Sequence, residues 1–227
     1  MKYILKSPIF FIVFIFPIIF GVFIGYNVRT DFYESYRAIF MLPIIRYSLI
    51  VMILTVYFTI DNLLSNSIFV LRNKNLFNSL FYVFKIELLL FLMVFILINI
   101  PIILFNIMNF EKIITVVFKM IFNGVLISII IVNIVKLLNI FFKNRSLSIG
   151  IFLGIWSILD FLLEHFNWFG NSQSICDFSY IFVLPFVYNW YFIDFILIMF
   201  FLFSTSIQFF LGIKNDCFLA EVNYEES

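Results

Sequence analysis

The single histidine of this 227-residue chain, His165, follows Glu164, and this pair is the first place to look for chemistry. A metal-dependent intramembrane protease needs two histidines four apart with a glutamate between them. That ligand set is missing. Serine-type catalysis needs a base beside a buried serine, and His165 is the sole conventional one. Standing at the end of an apolar run, Glu164 and His165 read as a solvated interfacial pair. No GxxxxGK[ST] loop occurs, so ATP is not bound in the P-loop manner. The expectation is a non-enzyme with no catalytic, cofactor-binding or metal site, and any ATP-driven role must use a separate subunit.

Packing and polar contacts leave more candidates. Pro17, Gly21 and Gly25 recur every four residues in the first apolar run, and in the fifth Gly150 and Gly154 are followed by Ser157. Small residues at that spacing let helices approach closely in lipid, so both stripes are expected to pack helices, with a subunit interface as the other reading. Polar side chains inside lipid are costly and face a bundle or a cavity. The candidates are Asn99 before Pro101, then Asn123, Ser128, Asn133, Asp160, Glu164, Asp194, Ser204, Ser206 and Gln208. Hydrogen bonds between helices account for most of them, and lining of a substrate path is the sharper reading. Pro101 is expected to kink its helix and to free backbone groups that Asn99 could satisfy.

The elements that must position these residues follow from composition. Hydrophobic residues make up 64% of the chain and charged residues 12%, against about 45–50% and about 25% in soluble domains; the mean hydropathy is +1.15. Such values describe a polytopic membrane protein. The excess of Phe, Ile, Asn and Lys is the usage of an AT-rich genome. A net charge of +1 and a pI near 7.7 leave no polybasic field, so nucleic acid gains no support as a partner. A hydrocarbon core about 30 Å thick requires roughly 20 apolar residues per helix. Runs of that kind extend over Pro8 to Tyr26, Pro43 to Leu64, Ile86 to Ile107, Ile113 to Phe142, Leu147 to Leu163 and Tyr188 to Gly212. The alternation of a barrel is absent. The expected fold is an all-α membrane protein of six transmembrane helices, and without repeat or linker to divide it, residues 1–227 form a single transmembrane domain. The first run reads as an anchor, because it reaches Tyr26 without a small-residue cleavage site.

Orientation follows from the cations. With the N-terminus inside, Lys2, Lys6, Arg72, Lys74, Lys85, Lys136, Lys143, Arg145 and Lys214 are cytoplasmic, while Arg29, Arg37, Arg46, Lys112 and Lys119 are outside. This bias follows the positive-inside rule and puts both termini in the cytoplasm. Lys119 and Lys136 fall within the fourth run, and both can snorkel to its ends. The last outer loop, His165 to Val187, has no Lys or Arg. Cys176 and Cys217 then lie on opposite sides and read as free thiols. Outside, "TDFYESYRAIFMLP" mixes aromatics and charges suited to the headgroup layer. "FSYIFVLPFVY", Phe178 to Tyr188, is too short to cross and reads as a re-entrant or interfacial segment before the sixth span.

The most polar long stretch between two apolar ones is Ser65 to Lys85, the first cytoplasmic loop. Phe69, Leu76, Phe77 and Leu80 recur near helical spacing, while Arg72, Asn73, Lys74 and Asn75 fill a polar face. A short amphipathic helix at the membrane surface fits this pattern. It is either a plain connector or a coupling helix that contacts a cytoplasmic motor.

Six spans, cytoplasmic termini, an amphipathic first cytoplasmic loop and a short apolar segment before the sixth span together resemble the membrane subunit of a type-two exporter-class ABC transporter. More narrowly, the chain is similar to the small bacterial permeases of peptide-antibiotic (lantibiotic or bacteriocin) export and immunity. The resemblance lies in span layout and covers the whole chain. It implies a cell-membrane permease that pairs with itself or a similar permease and with separate ABC ATPase subunits, moving an amphipathic peptide or lipid-like molecule outward. It also implies coupling through the loop that carries Phe69, Arg72, Lys74, Leu76, Phe77 and Leu80. In that family the loop often carries an acidic residue early, and here only Asp61 offers one, while Glu87 lies inside the start of the third span. The alternative is a non-enzymatic immunity-type protein that binds a peptide or scaffolds partners without a motor. A secondary transporter half ranks third, because its ionisable residues should lie near the bilayer centre and the acidic residues here cluster at span ends.

Overall fold

The computed structural model of the chain describes residues 8–27, 43–65, 76–107, 110–166 and 190–215. Every regular element among them is an α-helix. The helices are α1 (Pro8–Asn27), α2 (Pro43–Ser65), α3 (Leu76–Phe105), α4 (Phe110–Phe142), α5 (Arg145–Phe166) and α6 (Trp190–Asn215). The stretches read as outer amphipathic and as re-entrant, together with Phe69, Arg72, Lys74, Cys176 and Cys217, lie outside the described residues.

Long runs of Ile, Leu, Phe and Val make these helices, and few residues within them oppose helix. Only Pro17 in α1 and Pro101 in α3 interrupt a helix interior as prolines. Of the six helices, α3 over Leu80–Phe105 and α4 over Val117–Phe142 are long and apolar enough to cross a membrane. The other four are apolar over shorter described stretches.

The described part of the short surface helix expected within Ser65 to Lys85, Leu76 to Lys85, is continuous with the third span. From Leu76 onward the chain is already α3, a single helix of 30 residues, or about 45 Å at 1.5 Å per residue. The reason is local. Between Leu76 and Ile100 there is neither Gly nor Pro to end a turn, and the charge that suggested a boundary, Lys85, simply points to the exposed side.

Where α4 gives way to α5 the break is made by two residues, Lys143 and Asn144. Lys143 adopts a left-handed backbone, φ 48°, and its N–H still reaches the Asn139 carbonyl at 2.8 Å. Asn144 then caps α5, its Oδ1 accepting from the Leu147 N–H at 3.1 Å. That is the N-cap arrangement, in which a side-chain oxygen satisfies an orphan donor of the first turn.

The core is the antiparallel pair α3 and α4. Glu87 meets Lys136 at one end, and further along α3 the Phe95 ring occupies the space that a side chain at Gly124 would need. Helix α1 packs along α3 in the parallel sense, α5 and α6 pack on α4, and α2 touches α1, α3 and α4. Phe91, Phe95 and Ile98 of α3 and Ile129, Val132 and Val135 of α4 are wholly buried. The outer surface is apolar as well: Ile19, Phe118, Phe203 and Phe210 all stand well exposed.

Candidate functional site

Three sets of residues were singled out by the sequence, and the fold treats them differently. The first is the proposed coupling stretch. Leu76 and Phe77 open the first turn of α3, and Leu80, one turn later, is buried.

The second set is the glycines. A Cβ at Gly21 would overlap the carbonyl oxygen of Ile98, and one at Gly25 would lie 3.1 Å from the Ile102 Cα. These contacts are with backbone, which cannot rotate away. Asn106 spans the same seam, its Nδ2 donating to the Gly25 carbonyl at 3.4 Å and to the Ile102 carbonyl at 3.0 Å. Gly150 and Gly154 are different. Among the described residues, nothing outside their own helix backbone comes within 4 Å of where a side chain at either would begin, and both are exposed.

The third set is the polar residues, and three of them, Asn99, Ser128 and Ser204, donate back to their own helix, while Asn123 is buried with no partner among the described residues. Asn99 Nδ2 donates to the Phe95 carbonyl at 2.7 Å, not to the Leu97 carbonyl that Pro101 deprives of its usual N–H. Ser128 Oγ donates to the Gly124 carbonyl at 2.7 Å, and Ser206 is exposed. Asn133 and Ser204 make the expected bond between helices: Asn133 Nδ2 donates to Ser204 Oγ at 3.1 Å and to Thr205 Oγ1 at 3.3 Å. The side chains of Asp160, Glu164, His165 and Asp194 lie outside the described residues.

Beside Asn133 stands a contact that the sequence reading missed. Lys136 Nζ donates to Glu87 Oε1 at 2.5 Å, and the two side chains are 5% and 2% exposed. The ring of Tyr57, on α2, lies 5.8 Å from the same ammonium, within cation–π range. Lys136 therefore does not snorkel. It is held inside the bundle, and its charge is neutralised by Glu87 rather than offered to a membrane surface. Nor do the acidic residues all cluster at span ends, since Glu87 lies 11 residues into α3. A signal was present in the sequence. Two opposite charges embedded in consecutive apolar runs have few low-energy options except each other.

Buried acceptors on α3, α4 and α6 lack a donor among the described residues: Glu87 Oε2, Asn133 Oδ1 and Gln208 Oε1. Ser204 and Gln208, one turn apart on α6, are both buried, and Phe84 of α3 packs between Phe201 and Phe209 of the same helix. The result is a polar seam shared by α3, α4 and α6 and walled by aromatic rings. Its chemistry is hydrogen bonding and charge pairing. Among the described residues no group of three His, Cys, Asp or Glu side chains is placed to hold a metal ion.

Comparison with protein-family profiles, with curated proteins and with solved structures finds no match.

Proposed function

We propose that the chain is a multi-pass cell-membrane protein and the permease subunit of an ATP-driven exporter, taking an amphipathic peptide or lipid-like molecule outward. Helices that are apolar nearly all round belong either in the core of a large protein or in lipid. Here the exposed faces of α1, α3 and α6 carry Phe and Ile, as helices in contact with lipid do.

The observation that carries the transport reading is the continuity of α3. Leu76 and Phe77, in the stretch assigned to motor contact, belong to the same unbroken helix as Ile98, against which α1 is packed at Gly21. A push at Leu76 would move the seam with α1 and the joint with α4 together. A hinge between loop and span would absorb that push, and no Gly or Pro offers one before Pro101. With no nucleotide-binding loop of its own, such a chain takes its energy from separate ATPase subunits. The open face at Gly150 and Gly154 is available to a second permease chain.

The test is co-purification. Leu76→Asp with Phe77→Asp, both near the start of α3, should abolish recovery of an ABC ATPase with the chain from native membranes while leaving its helical content unchanged. Equal recovery of the ATPase with the variant removes coupling at this stretch. Absence of any ATPase from the unmodified chain favours the motor-free, peptide-binding alternative.

A further inference from the structure

We infer that the Glu87–Lys136 pair is a releasable latch between α3 and α4, a contact that opens and closes during the working cycle rather than one retained for stability. Taking two charges out of water is expensive, and apolar residues of similar volume commonly replace a buried pair with no loss of stability. Packing around the pair is already extensive, with Phe91, Phe95, Val132 and Val135 fully buried on the same two helices. Stability alone therefore does not account for the two charges.

The pair is also incompletely satisfied. Glu87 Oε2 has no donor among the described residues, and Asn133 Oδ1 on α4 and Gln208 Oε1 on α6 share that condition. A buried network with open acceptors is poorly suited to a permanent joint, whereas a contact that exchanges partners needs such acceptors. Tyr57 from α2 faces the Lys136 ammonium, and one turn before Lys136 on α4 Asn133 bonds to Ser204 and Thr205 of α6.

Position adds the second argument. The far half of α3 is tied by backbone contact to α1 at Gly21 and Gly25 and by the Phe95 ring to Gly124. The near half, from Leu76, is held to α4 by the ion pair and to α6 by Phe84 between two rings. Because α3 has no Gly or Pro between Leu76 and Ile100, breaking the polar contact lets its near end tilt away from α4 as one rod about the Phe95–Gly124 contact, carrying α1 with it. The inference concerns motion within the chain and stands whether or not an ATPase drives it.

Spin labels at Lys85→Cys and Phe141→Cys, both exposed positions on α3 and α4, report this end of the helix pair. The full chain, with Cys176→Ser and Cys217→Ser, is reconstituted in lipid nanodiscs and its label-to-label distances are measured by pulsed electron resonance. Two distance populations are expected. The apolar replacement E87M/K136M should retain only the shorter one, and the reversed pair E87K/K136E should restore both. A single population in the otherwise native chain, the same as in E87M/K136M, overturns the latch and leaves a fixed register pin. Should E87M/K136M not fold, the otherwise native chain decides alone, since one population there is already the refuting result.

Discussion

The glycine stripe of α1 and that of α5 have the same spacing and opposite fates. Gly21 and Gly25 let the α1 backbone ride against Ile98 and Ile102 of α3, whereas among the described residues no other helix approaches Gly150 or Gly154. The difference comes from what else lies on each helix. On α5 the side facing the bundle is set by Ser148, Phe152 and Trp156, which recur every four residues and are buried. Gly150 stands two residues from Ser148, about 200° around a helix of 3.6 residues per turn. Burial of Phe152 and Trp156 therefore turns the glycines outward. A small-xxx-small stripe describes what a helix face can accept, while the larger apolar residues of the same helix decide whether that face is used.

Substitutions can break or sharpen this contrast. Gly21→Leu should have the largest effect, a loss of about 3 kcal/mol or more in thermal unfolding in detergent, because the added side chain meets the Ile98 backbone and overpacking of a tight core commonly costs about 1–3 kcal/mol even when neighbours can adjust. Val22→Leu, on an exposed position next to it, should change stability by under about 0.5 kcal/mol; equal losses for the two would remove the packing role of the stripe. Gly25→Leu should fall between them, about 1–3 kcal/mol, since its nearest atom is the movable Phe105 ring at 3.0 Å but the Ile102 Cα follows at 3.1 Å. Asn144→Ala should cost about 1 kcal/mol by removing the cap of α5, read in the same unfolding assay. Gly154→Leu should be the mildest in the isolated chain, under about 0.5 kcal/mol, and should lower dimer yield if a second copy uses that face.

Much of the architecture was legible because it rests on local sequence. Hydropathic runs located all six helices, with ends shifted by a few residues except at α3, where the apparent boundary at Ile86 dissolved. Polarity before Ile86 suggested a separate surface helix, yet polarity alone does not stop a helix when no Gly or Pro intervenes. The end of α4 was legible as the apolar run stopping at Phe142, but the left-handed Lys143 and the capping Asn144 depend on conformation. The candidate site was less readable. Gly21 and Gly25 were found from spacing, whereas the partners Glu87 and Lys136 stand 49 residues apart, and neither residue alone indicates which neighbour it will meet.

Helical character, the apolar outer face and the want of a nucleotide loop were all determined by residue type and order, since each depends on the chain's immediate neighbours. Tertiary structure decided which glycine face was covered, which polar side chains met across helices, and that one ammonium would be enclosed with a carboxylate. Those outcomes depend on how helices rotate to bury their largest side chains, a competition settled only when all of them pack at once.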